Sequence, residues 1–237
     1  MIVRRTPQAI RHVTQADHAR FASDLLRLVR LPELVDRPRR ELLLRAVSEH
    51  DNGWWEVDAA PRLAPGGAGA LDFRAFPAAL RQEIWLRGIE RFAGESPYVA
   101  ALLAAHVLRL SERVRSEPSW GDFRAEVSVR HEELLEAADE SPETLAEDDR
   151  WLAFADSLSL AICAGETGLF DLPGWQLTLR GPEDLEAVLL PFPFAGTTVF
   201  ELSCRALEPT NLRSDSALGV ALASSPWLRL KVRFSPS

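Results

Sequence analysis

Residues 141–165 read SPETLAEDDRWLAFADSLSLAICAG, and the fold class turns on what lies on either side of them. Ser141-Pro142-Glu143 has the chemistry of a helix start, and the helix it opens is predicted to reach about Cys163. Beyond Gly165 the character of the chain changes. Residues 175–180, 187–190, 198–206 and 227–234 are strand-like, with Pro191 and Pro193 between two of them and a short helix over 216–224. Upstream the pattern is mostly helical. Residues 2–5 and 9–13 alternate as a small hairpin, and Thr14 then reads as an N-cap with Asp17 approximating a capping box. Helices are predicted over 15–29 and 38–50, then over 77–92, 97–114 and 121–138. The stretch 59–73 holds Pro61, Pro65, Gly66, Gly67 and Gly69 and is a loop long enough to form a wall or lid. The expected fold is mainly α. A helical body over 1–165, with its hairpin, carries a small β-rich part over 166–237 packed on the same core, α+β overall.

Composition narrows the function classes. The 237 residues carry 27 Lys+Arg against 35 Asp+Glu, a formal net charge of −8, which argues against nucleic acid as a partner. That balance still admits a small phosphorylated ligand held by a few local cations. With 46% hydrophobic residues the chain can bury a sizeable core. Cys163 and Cys204 make no disulfide scaffold, and Cys163, in LSLAIC, is expected to be a buried thiol in a reducing compartment. No apolar stretch approaches the ~20 residues needed to cross a bilayer. The start, MIVRRTPQAI, lacks the apolar core of a signal peptide, so no membrane association and a cytoplasmic location are expected. P-loop, G-x-G-x-x-G and G-x-S-x-G patterns are absent.

The histidines carry more information. Residues three and four apart share a helix face. His18 shares its face with Phe21, Ala22 and Leu25, and His50 with Leu43, Ala46 and Val47. His106 sits with Leu102, Leu103 and Leu110, and Asp156 with Leu152, Ala153 and Leu160. A lone inward histidine is usually a satisfied core residue, but three of them and a carboxylate on four helices ask for a common partner. Asp51, beside His50 at a helix end, makes five N and O donors. Mixed imidazole and carboxylate ligation suits a divalent Fe, Mn, Co, Ni or Zn.

The order His18 … His50-Asp51 … Asp156 resembles the H…HD…D signature of the HD-domain superfamily of metal-dependent phosphohydrolases. The chain is also similar to a family of uncharacterised bacterial proteins with Q-x-DHA, HDxGW and D-x-x-SL-x-x-C motifs. Here these are Gln15 to Ala19, His50 to Trp54 and Asp156 to Cys163, with Tyr98 preceding the inward His106 and PFPF at residues 191–194. The resemblance implies an HD-like helical bundle with His18, His50, Asp51 and Asp156 as ligands of a first ion. Asp51 would bridge to a second ion, and His106 would ligate that ion or contact phosphate. His131 is a further candidate for the second ion, and His12 is expected to be structural. Position 52 is Asn where relatives often carry a second acid, which would weaken a second cation or alter proton transfer.

The implied activity is hydrolysis of a small phosphorylated or nucleotide-like substrate at one or two ions, with Asp51 and His106 catalytic. Trp55 and Tyr98 are candidate substrate contacts, whereas Trp54 is expected to plug the core under the helix end. Two other readings use the same residues: an HD-like di-iron oxygenase, and a non-catalytic module that binds a metal or senses a ligand. A homo-oligomer is left open.

Overall fold

In a computed structural model, which describes residues 1–6, 8–172, 174–181, 184–209 and 211–236, the opening alternation folds as β1 (Ile2–Arg5) and β2 (Ile10–Val13). Thr14 follows directly and caps α1 (Gln15–Arg27), its hydroxyl accepting from the Asp17 amide at 3.0 Å. A short α2 (Pro32–Val35) precedes α3 (Arg40–Glu49), and a 3-10 turn over Asn52–Trp54 leads into α4 (Trp55–Ala59). After the Pro/Gly loop come a 3-10 turn at Phe73–Ala75, α5 (Ala78–Ala93), α6 (Pro97–Ser111) and α7 (Pro118–Ala137). The long α8 (Pro142–Ala164) starts on the Ser141 cap and ends at Gly165, whose left-handed φ of 65° closes the helix.

The remainder forms β3 (Gly168–Leu172), β4 (Trp175–Arg180), β5 (Leu185–Leu190), β6 (Thr198–Leu207), α9 (Asp215–Ser224) and β7 (Trp227–Phe234). The strands make one seven-stranded sheet in the order β1-β2-β6-β7-β5-β4-β3, antiparallel except where β5 meets β7. Its inner face is apolar: Phe200, Leu202 and Cys204 of β6 and Leu230, Val232 and Phe234 of β7 are buried, and the residues between them are more exposed. Helices cover that face. Phe21 of α1 meets Phe200 edge-on, ring centroids 6.2 Å apart, and Phe154 of α8 lies 4.1 Å from Trp175 of β4. One apolar core therefore runs through helices and sheet together.

The expected mainly α, HD-like helical bundle is corrected by this arrangement. Helix accounts for 54% of the chain, but the rest is organised on a curled seven-stranded mixed sheet, so the fold is α+β. The opening hairpin is part of that sheet, because His12 pairs with Arg205 and Ile10 with Leu207. Hydrophobic periodicity is local and reveals strands, not which distant strands pair. The edge strand β3, GLFDL, went unseen for a related reason: with Leu169 66% exposed, it lacks the alternation of a half-buried strand. Among the described residues no helix is long and apolar enough to cross a membrane.

His12 ties this sheet to the Pro/Gly loop. Its buried Nε2 accepts a hydrogen bond from the Ala70 amide at 3.1 Å, so the ring is neutral. Gly69 passes so close, at a φ of +78°, that a Cβ there would lie 2.8 Å from that nitrogen. Burial, helped by the Arg5 charge, lowers the His12 pKa to about 4. The unfolded chain takes up this proton near pH 6.5, so stability falls as pH drops from 6.5 towards 4 and is unaffected above that window. The loss at pH 4 relative to pH 7 is roughly 3 kcal/mol. Urea denaturation across this range should show that slope in the parent and lack it in His12→Gln, which keeps an acceptor but does not titrate.

Candidate metal centre

Four helical segments deliver the inward donors to one point. His18 comes from the first turn of α1, His50 and Asp51 from the end of α3, His106 from α6 and Asp156 from α8. All five are buried. His18 Nε2 lies 3.3 Å from His50 Nε2, 3.1 Å from Asp156 Oδ1 and 3.7 Å from Asp51 Oδ2. His50 Nε2 lies 3.4 Å from Asp156 Oδ1 and 3.5 Å from Asp51 Oδ2. Two ligands each about 2.1 Å from one ion stand about 3.0 Å apart at a right angle and about 3.4 Å apart at a tetrahedral angle. The separations here have the size of the edges of such a polyhedron. The groups His18–His50–Asp51 and His50–His106–Asp156, each with donor atoms within 4.8 Å of one another, can hold a metal ion.

The other ring nitrogens of His18 and His50 are already committed. His50 Nδ1 donates to the Val47 carbonyl at 2.7 Å, one of the orphan acceptors at the end of α3. Ser159 Oγ donates to the His18 carbonyl at 3.0 Å and lies 2.8 Å from His18 Nδ1, which donates to it in turn. Both rings are thereby held with Nδ1–H outward and the Nε2 lone pair inward, the tautomer a metal ligand needs. Two lone pairs facing each other repel unless a metal ion or a proton stands between them. With no ion bound, a proton takes that place: burial alone would lower the His50 pKa, but the Asp51 charge and the Asp156 carboxylate raise it to about 9. Burial pushes the Asp51 carboxyl above the usual range, whereas the neighbouring His18 and His50 rings override burial and hold Asp156 well below it.

His106 is bound differently. Its ring stands edge-on to His50 with centroids 5.0 Å apart, but its Nδ1 accepts from Arg109 Nη2 at 2.7 Å. Arg109 is itself fixed by Asp149 at 3.1 and 3.4 Å. A guanidinium only donates, so His106 carries its hydrogen on Nε2. Burial and the Arg109 charge push its pKa well below the usual value. Proximity thus puts His106 among the possible ligands, while hydrogen bonding gives it the form of a neutral N–H donor.

A cavity of about 120 Å³ opens onto the cluster, lined by His18, Asp51, His106 and Asp156 together with Gln15, Trp54, Phe73, Arg74, Arg81, Trp85, Leu110 and Leu160. Trp54 is buried between Phe73 and Phe76. The two substrate-contact candidates lie elsewhere. Trp55 is 47% exposed beneath the Arg91 guanidinium, and the buried Tyr98 hydroxyl donates to Asp148, with Arg39 over its ring. Neither lines the cavity, and His131 of α7 belongs neither to the cavity wall nor to the donor groups. Gln15 and Ser159 stand in the quoted motifs but carry no site role in the sequence reading, and Arg74 and Arg81 do not enter it. Gln15 and Ser159 had a usable signal, since each sits three residues from a ligand candidate on its own helix, His18 and Asp156. The two arginines had none, because only tertiary packing brings them to the cavity.

The His50-Asp51 turn is held by its neighbours. Asn52 is buried and its amide donates to Glu49 O at 2.8 Å and Gly88 O at 3.1 Å, so it braces the turn on α5 and contributes no donor to the cluster. Gly53 presses on the same helix: a Cβ there would lie 2.0 Å from the Ile84 carbonyl oxygen. Gly53→Ala must therefore move the turn off α5, at a cost of roughly 1–3 kcal/mol. Thermal denaturation should show that loss, and an unchanged midpoint would contradict the close approach.

Among protein families, one model matches the chain, over residues 1–208. No curated protein and no solved structure matches it. With most of its length inside that match, the chain belongs to the family described as Protein of unknown function (DUF3891).

Proposed function

We propose that this chain is a metal-dependent phosphohydrolase in which His18, His50, Asp51 and Asp156 hold one divalent ion. The observation that carries the reading is the pair of imidazole Nε2 atoms facing each other at 3.3 Å, both rings held from behind through Nδ1 and two carboxylates alongside. The resemblance of the H…HD…D order to phosphohydrolases supplies the reaction class; the geometry supplies the site. A bound divalent ion lowers the pKa of a coordinated water and polarises a phosphoryl oxygen. Asp51 enters the cluster through Oδ2, which leaves Oδ1 to take a proton from the attacking water as the ester P–O bond breaks, and the leaving alkoxide takes its proton from solvent. His106, with Arg109 on its Nδ1, donates a hydrogen bond from Nε2–H to a phosphoryl oxygen as negative charge builds there. It therefore serves the substrate, not a second ion, and this disfavours the di-iron reading.

Metal analysis of protein purified without added metal and without a histidine tag should find about one equivalent. His50→Ala should hold none while keeping the far-UV circular dichroism of the parent, and the parent alone should release phosphate from p-nitrophenyl phosphate. Retention of metal by His50→Ala would remove the ligand assignment. Two equivalents in the parent would return His106 to the ligand set.

A further inference from the structure

Two polar groups in the cavity wall have hydrogen-bonding capacity that no other described residue meets. Gln15, the first residue of α1, is 1% exposed, lies one turn ahead of His18, and its Oε1 accepts no hydrogen bond. Arg81, in the first turn of α5, has an enclosed Nε without an acceptor; its guanidinium lies 5.2 Å from the Trp120 ring centroid and pairs with no carboxylate among the described residues. A buried amide oxygen and a buried guanidinium N–H left unpaired each cost free energy, unless a ligand pairs with them. Arg74, half exposed at the same cavity, faces one carboxylate among the described residues, Asp72, loosely at 3.6 Å.

The charge of the wall gives the sign of that ligand. Among the described residues Asp51 and Asp156 are the only carboxylates lining the cavity, and both belong to the donor cluster. A divalent ion would balance them, and Arg74 and Arg81 then leave the cavity positive. Its volume of about 120 Å³ gives room for a phosphoryl group with water beside it.

We propose that Arg81, Arg74 and Gln15 form the subsite for the terminal phosphoryl group of a phosphomonoester, whose organic part stays outside the cavity. This assignment deepens, and rests on, the hydrolase reading above. Arg81 donates to the phosphoryl oxygens from inside, Arg74 does so from the mouth, and Gln15 Oε1 accepts from the water or a phosphoryl hydroxyl. A phosphodiester has no free terminal oxygen to spare for its second organic arm, so monoesters are expected to bind more tightly than diesters.

The test is a calorimetric titration in two stages, Mn²⁺ first and then inorganic phosphate, methyl phosphate or dimethyl phosphate. The parent should take up Mn²⁺ and then bind phosphate and methyl phosphate, with dimethyl phosphate at least tenfold weaker. Arg81→Gln should keep its Mn²⁺ affinity and lose phosphate affinity at least tenfold. Arg74→Gln, at an exposed position that no core packing depends on, should show a smaller loss in the same direction and guards against misfolding of the first variant. Phosphate binding unchanged in Arg81→Gln, no phosphate binding by the Mn²⁺-loaded parent, or dimethyl phosphate binding as tightly as phosphate would each overturn the subsite. Phosphate binding that depends on Arg81 without any Mn²⁺ uptake would instead remove the metal assignment and leave the subsite standing.

Discussion

His18 Nε2 and His50 Nε2 face each other across 3.3 Å, each ring tied from behind to a fixed acceptor, and the placement of four helical segments answers to that contact. Neither ring can turn away without breaking a buried hydrogen bond to Val47 or Ser159. Neither nitrogen can pair with the other while both are neutral. The surroundings resolve the conflict with Asp51 and Asp156, whose charges favour positive charge at the rings, a proton on His50 when no ion is bound. A buried cluster of this kind is costly unless every member is satisfied, and it specifies how α1, α3 and α8 sit against one another.

Around this acidic centre lies a shell of arginines with distinct duties. Arg109 acts on His106, fixing its tautomer, and its own charge is absorbed by Asp149. Arg91 secures the turn, donating to the Asn52 carbonyl and pairing with Glu56. Arg81 and Arg74 remain for the cavity. The fixed fork of a guanidinium suits each of these tasks, because it addresses two acceptors at once or stacks on a ring while it donates.

What could be read from residues alone follows from which forces are local. A polar side chain among apolar neighbours three and four positions away must face inward, and His18, His50, His106 and Asp156 all do so. Caps are equally local, and Thr14 and Ser141 act as expected. Adjacency to a motif misleads. Trp55 follows Trp54, but consecutive helical residues point about 100° apart, so one ring fills the core and the other lies in solvent under Arg91. Tyr98 precedes His106 by more than two turns, roughly 12 Å along the helix axis, and meets Asp148 instead. Arg81 was out of reach altogether: its place depends on α5 docking where Gly53 permits backbone contact. The sheet escaped in the same way, because strand pairing is settled by partners far apart in the chain.

That distant pairing bears on how the protein is made. The strand β2 runs straight through Thr14 into α1, so the strand that places His18 is registered by β6 near the other end of the sequence. During synthesis α1, α3, α5, α6 and α8 have all been made before β6 exists, and α1 packs directly on α3 and α8. His18 is the earliest donor to be synthesised, and Ser159, which fixes its ring, is made 141 residues later. A chain interrupted before β6 would hold all five donors but leave β1 and β2 without the strand that joins them to the rest of the sheet, so the two ends of the sequence meet only when the fold is complete.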